Sequence, residues 1–169
     1  MSQGRGALTR SRHRHVRWYG VQPHWQVWVE VDARRENGVK LCRRTHLDRL
    51  SYRIPVEVRG RRDPVIVRIV FYARPEYDTY GLPPQEYPRV YADLGADSPH
   101  RMPDDALCLY FPHSAPQLRW TPEKGLLALI DLIRDHLFFE AYWRLSGGVD
   151  GGIWLGEEQP HNFPARRSA

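Results

Sequence analysis

The chain of 169 residues contains only two cysteines, Cys42 and Cys108, and two lysines, Lys40 and Lys124. Two thiols cannot build a disulfide framework or a cysteine-rich metal cluster, so both are expected as free thiols in a reducing compartment, with no metal or other cofactor. No apolar run approaches the roughly 20 residues of a membrane-spanning helix. Nor does a charged start lead into an apolar stretch and a cleavage site, so a cytoplasmic location and no membrane partner are expected. Acidic residues are absent from residues 1–29, which carry Arg5, Arg10, Arg12, Arg14 and Arg17; this segment alone accounts for the formal charge of +5. Such an arm could meet phosphates and stack Trp18 or Tyr19 on a base. No nucleic-acid motif accompanies it, and a solvated terminus is the simpler reading, so nucleic acid is not expected as a partner.

With 41% hydrophobic and 27% charged residues, the chain has the composition of a globular domain. Its length suits one domain. We place a basic arm at 1–20, a single domain at 21–155 and a tail at 156–169.

Trp25, Val27, Val29 and Val31 alternate with polar residues and run into Asn37-Gly38, which predicts a β-hairpin near the N-terminus that continues through Cys42. A second hairpin is predicted from Tyr52, Ile54, Val56 and Val58, a turn over 60–64, and Val65, Val67, Ile69 and Phe71. Pro55 suggests an edge strand there. Residues 73–88 hold four prolines and three tyrosines, a composition that predicts a loop packed by its own aromatics. Its exposed tyrosines could alternatively bind a partner's tail. Short strands are predicted at 89–94 and 106–111. Thr121 as N-cap and Pro122 at the first helical position open a helix whose apolar stripe is Leu126, Leu129, Ile130, Ile133 and Leu137. It should stop at Gly147-Gly148.

Free cysteines are mostly buried, and Cys42, on a predicted strand, is read that way. Cys108 lies where an irregular loop meets a short strand, with His100 and His113 nearby in sequence. A loop junction supplies the partial exposure and polar neighbours that a reactive thiol needs. Two chemistries use such a thiol: a Cys-His hydrolase, whose nucleophile commonly begins a helix, and an acyl carrier that holds a thioester. Here the helix begins a dozen residues after the cysteine.

The ordered set Tyr87-Pro88, His100, Cys108-Leu109 and Trp120-Thr121-Pro122, followed by an amphipathic helix, resembles the core of a ubiquitin-conjugating enzyme over residues 52–145. That family has a tyrosine-proline before a strand, a His-Pro-Asn motif about ten residues before its catalytic Cys-Leu, and a tryptophan with Ser/Thr-Pro before the next helix. Two departures stand out. Arg101 and Met102 follow His100, so the motif's asparagine is missing. The expected first helix is also absent, its place taken by the predicted extra hairpin. Both point to divergent bacterial conjugating-enzyme-like proteins of CBASS anti-phage or ubiquitin-like modification operons, whose C-terminal end residues 154–161 also resemble.

The resemblance implies an α+β fold, an antiparallel meander sheet on a long helix. It implies Cys108 as the thioester-forming catalytic residue and His100 as a loop brace or oxyanion donor. Its partners would be a cGAS-like nucleotidyltransferase or a ubiquitin-like protein, with or without an activating enzyme. His113 and His161 are lesser candidates, read as surface histidines. The alternatives are a catalytically inactive adaptor of the same fold and a Cys-His hydrolase of peptide or isopeptide bonds. Two lysines leave few sites for self-modification, as suits a carrier.

Overall fold

Alternating apolar residues form strands β2 (Arg49–Val56) and β3 (Val65–Tyr72) in a computed structural model that describes residues 17–21 and 23–156. Their hairpin runs in register from Arg49 opposite Tyr72 to Val56 opposite Val65. β1 (Cys42–Thr45) and β4 (Arg89–Tyr91) flank it, giving an antiparallel meander in the order β1-β2-β3-β4. Leu50, Tyr52 and Ile54 on β2 share one face with Val67, Ile69 and Phe71 on β3. That face is buried against helices α2 (Pro23–Arg35) and α3 (Gly125–Leu145), so the class is α+β, as expected. Among the described residues, no helix is long and apolar enough to cross a membrane.

The predicted N-terminal hairpin is instead helix α2 followed by the short strand β1. Trp25, Val29 and Ala33, four residues apart, are buried, whereas Val27 is 66% and Trp28 45% exposed. The burial therefore has the helical period, not the strand period. Glu30, beside that stripe, is the second reason. It accepts hydrogen bonds from Arg34 Nε (2.6 Å), Arg43 of β1 (3.0 Å) and the Tyr52 hydroxyl of β2 (2.8 Å). A polar position in a strand pattern is thus a buried anchor between α2 and the sheet. Asn37-Gly38 follows the helix rather than turning a hairpin, with Gly38 at φ 88°, where a side chain would be strained.

Three further expectations change. β2 is interior, but β1 ends with Cys42 opposite Arg53, so Pro55 has a ladder partner only on the β3 side, Ile66. The missing N–H therefore interrupts no second ladder. Cys42 is exposed, because β1 is the edge strand and its outward side meets no layer. No strand forms at 106–111; only an isolated bridge joins Arg101 and Leu107.

Trp18 and Tyr19, assigned to the arm, belong to the one-turn helix α1 (Trp18–Val21) and pack into the core. Trp18 Nε1 donates to Tyr72 O (3.0 Å) and the Tyr19 hydroxyl to His46 O (2.9 Å), which anchors both rings. Arg5, Arg10, Arg12, Arg14 and His161 lie outside the described residues.

The long helix is present over its predicted stripe, with Leu126, Leu129, Ile130, Ile133 and Leu137 fully buried. Its start differs. Pro122–Lys124 is a 3₁₀ turn with no side-chain cap from Thr121, and Trp120 Nε1 donates to Gly125 O (2.8 Å) where the α-helix begins. The C-terminal stop falls as expected, with Gly147 at φ 139° and Gly148 at φ 57°.

Candidate functional site

Cys108 follows the Arg101–Leu107 bridge and belongs to a second, smaller core formed around Tyr87, Met102 and Ala106. The loop at 73–88 supplies much of the rest of that cluster, with Tyr91 of β4 and Tyr110. Tyr77, Tyr80 and Leu82 pack into it, the Tyr77 hydroxyl donates to Tyr87 O (2.8 Å), and the Tyr110 hydroxyl donates to Glu86 O (2.8 Å). The tyrosines of this loop are therefore packed by one another, and their companion in that packing is the half-buried thiol.

Burial raises the Cys108 thiol above its ordinary pKa, and the nearby positive charge of Arg89 pulls the other way without cancelling it. Arg89 is itself buried, lies 3.7 Å over the Tyr77 ring and donates to Asp104 Oδ2 (3.0 Å). A cationic, hydrogen-bonded group thus lies near enough for its charge to act on the thiol. Tyr87, in the same cluster, is raised to about 12, chiefly by burial, so it stays a neutral hydroxyl at physiological pH.

The main chain brings the two predicted site residues together: Cys108 N donates to His100 O (3.2 Å). Their side chains have different surroundings. The His100 ring is buried and stacks on Trp154, with centroids 4.3 Å apart and planes inclined by 34°. Trp154 also packs against His136 and Phe139 of α3, so the segment after the long helix folds back over the pre-cysteine loop. His113 is exposed, with its ring 5.5 Å from that of Tyr80, at the rim of the cysteine cluster.

Sequence reasoning did not single out the group that fixes this loop. Arg101, next to His100, is buried and makes a two-pronged pair with Glu140 of α3: Nε to Oε1 at 2.6 Å and Nη2 to Oε2 at 2.7 Å. Arg101 Nη1 also donates to Ala92 O (2.7 Å), tying the end of β4 to the same point. Burial alone would raise the Glu140 carboxyl, but His136 at 3.3 Å and Arg101 overcome it and hold the pKa at about 2. The loop then turns tightly. Met102 N donates to Ala106 O (2.8 Å), and Asp105 adopts φ 69° while accepting from Gly95 N (2.6 Å). A left-handed non-glycine residue costs about 1 kcal/mol, so surrounding contacts must impose this turn.

Among the described residues, no group of three or more His, Cys, Asp or Glu side chains could hold a metal ion. A cleft of about 660 Å³ shares Tyr77, Tyr91 and Asp104 with the surroundings of Arg89 and extends to Arg49 and Tyr72 at one end of the sheet. Compared with protein-family models, curated proteins and solved structures, the chain matches none.

Proposed function

We propose that the chain is a ubiquitin-conjugating-like transferase that carries the C-terminal carboxyl of a partner protein as a thioester on Cys108. The observation that carries this reading is the placement of Cys108: half-buried in the smaller core and braced by its backbone, after the four-strand meander and before the long helix along the chain, with the positive charge of Arg89 acting on the thiol. The element order supports it as well, because α2 supplies the helix whose absence set the sequence apart from the family pattern.

In the first step, the sulfur attacks an activated carboxyl carbon presented as an adenylate or as another protein's thioester. The C–S bond forms, the thiol proton passes to water, and AMP or the donor thiol leaves. An amine then attacks the same carbon, the C–S bond breaks, an amide is released and the thiol is restored. Arg89 stabilises the sulfur's negative charge as it develops. His100 braces the loop through its carbonyl, and its ring rests on Trp154. A Cys-His hydrolase is less well supported, since a thiolate-imidazolium pair lowers the thiol pKa and this thiol is raised. The partner this reading implies is a cGAS-like nucleotidyltransferase or a ubiquitin-like protein, in bacterial anti-phage defence.

The test is co-expression with the neighbouring genes, followed by a non-reducing gel. A higher band removed by thiol, lost with Cys108→Ala and kept with Cys42→Ala, is expected. The Cys42 control is needed because that thiol is exposed and free to form disulfides. Absence of any such band while Cys108→Ala stays folded would favour the inactive adaptor.

A further inference from the structure

The sheet's outer face has an unusual charge pattern. The four strands contain no acidic residue. Strand registers align Cys42, Arg53, Arg68 and Tyr91 in one row across the sheet, with Arg44 and Ser51 in an adjacent row. These positions alternate with those packed on α2 and α3, so they face away from the helices; toward β4 the same face is covered, and Val70 and Arg89 are buried there. Arg43, Arg49 and Arg89 have carboxylate partners in Glu30, Asp48 and Asp104. Arg44, Arg53 and Arg68 are exposed and form no ion pair with any described residue.

Arg53 and Arg68 stand directly opposite each other, an arrangement that is repulsive in an isolated sheet. Beside them Ile66, 45% exposed, pairs with Pro55 and adds an apolar spot. We propose that this face docks an acidic protein surface, whose carboxylates meet Arg44, Arg53 and Arg68 and whose apolar side chain meets Ile66. Charge complementarity selects the occupant. Residues 1–16 are basic and cannot neutralise the patch. Single-stranded nucleic acid would need free aromatic faces for its bases. Here the Tyr91 ring lies under Arg68 at 5.0 Å and the Tyr72 ring abuts Tyr77. The docking surface borders the Cys108 cluster at Tyr91 but does not depend on the transferase reading.

The experiment is an NMR titration of the ¹⁵N-labelled full chain with a ten-residue polyglutamate peptide, and separately with ten-nucleotide oligo-dT. The peptide should shift amides of Ser51–Arg53 and Ile66–Arg68. Its affinity should fall at least tenfold in Arg53→Gln/Arg68→Gln and persist in Arg53→Lys/Arg68→Lys. Replacing Arg5, Arg10, Arg12 and Arg14 by Gln should leave binding at the sheet in place. Amide spectra of each variant report whether the fold is kept. Shifts confined to residues 1–16, unchanged affinity in the folded Gln variant, or tighter binding of oligo-dT on the same strands would overturn the proposal.

Discussion

Removing the Arg101 charge should destabilise the protein through Glu140 rather than through lost packing alone. Glu140 is fully enclosed and held at about 2 instead of 4.5. By linkage, that difference corresponds to about 3 kcal/mol of stability at neutral pH, as an order of magnitude. Because the folded-state pKa is the lower one, this stability is present above the unfolded value of 4.5. It is lost as pH falls from there toward 2. Arg101→Met removes both short bonds and leaves the carboxylate with His136 and with Arg144, 3.6 Å away. We expect it to cost about 3–5 kcal/mol at pH 7, the usual penalty for orphaning a buried charge. Arg101→Met/Glu140→Leu should recover most of that loss, since two apolar residues can replace a buried pair at little net cost. Urea unfolding of all three proteins at pH 7 and pH 4 measures both effects. If Arg101→Met lies within 0.5 kcal/mol of the parent, or the double variant is worse than the single, the pair is not the clamp described here.

Other consequences follow from single residues. In a Cys42→Ala background, Cys108 should react slowly with iodoacetamide at pH 7 and faster in alkali. Arg89→Met should move that profile to still higher pH, as loss of the positive charge demands; a profile shifted down would contradict it. Val27→Ala, at an exposed helical position, should raise stability by about half a kcal/mol, whereas a strand would lose stability; thermal unfolding separates the two. Arg53→Gln should leave stability unchanged or raise it by a few tenths of a kcal/mol, read from the same melts, because it removes a like-charge cross-strand pair.

The parts of the fold written in local pattern were legible. β2 alternates throughout and β3 over its first half, on either side of their turn, and α3 carries an uninterrupted apolar stripe closed by two glycines. Helix α2 was not legible, because Trp25, Val27, Val29 and Val31 satisfy a period of two while only positions 25 and 29 among them are buried in the core. Distinguishing the periods required Ala33, small and easily passed over, and Glu30, whose burial depends on Arg43 and Tyr52 far along the chain. At the candidate site, loop composition pointed to Cys108, and its position after Pro88 places Arg89 at the start of a strand. Nothing local marks Arg101 and Glu140 as partners, since they are 39 residues apart and each is an ordinary surface residue by type. The His100 ring contact with Trp154 was hidden for the same reason.

The most direct measurement of the central claim is intact-mass analysis of the Cys108→Ser variant co-expressed with its neighbouring genes. A serine ester survives thiol treatment, so the expected product is a thiol-resistant adduct equal in mass to one partner joined with loss of water, cleaved by mild base and mapped to position 108. An unmodified Cys108→Ser chain, in cells where the parent protein forms its adduct through Cys42 or through a disulfide, would contradict it.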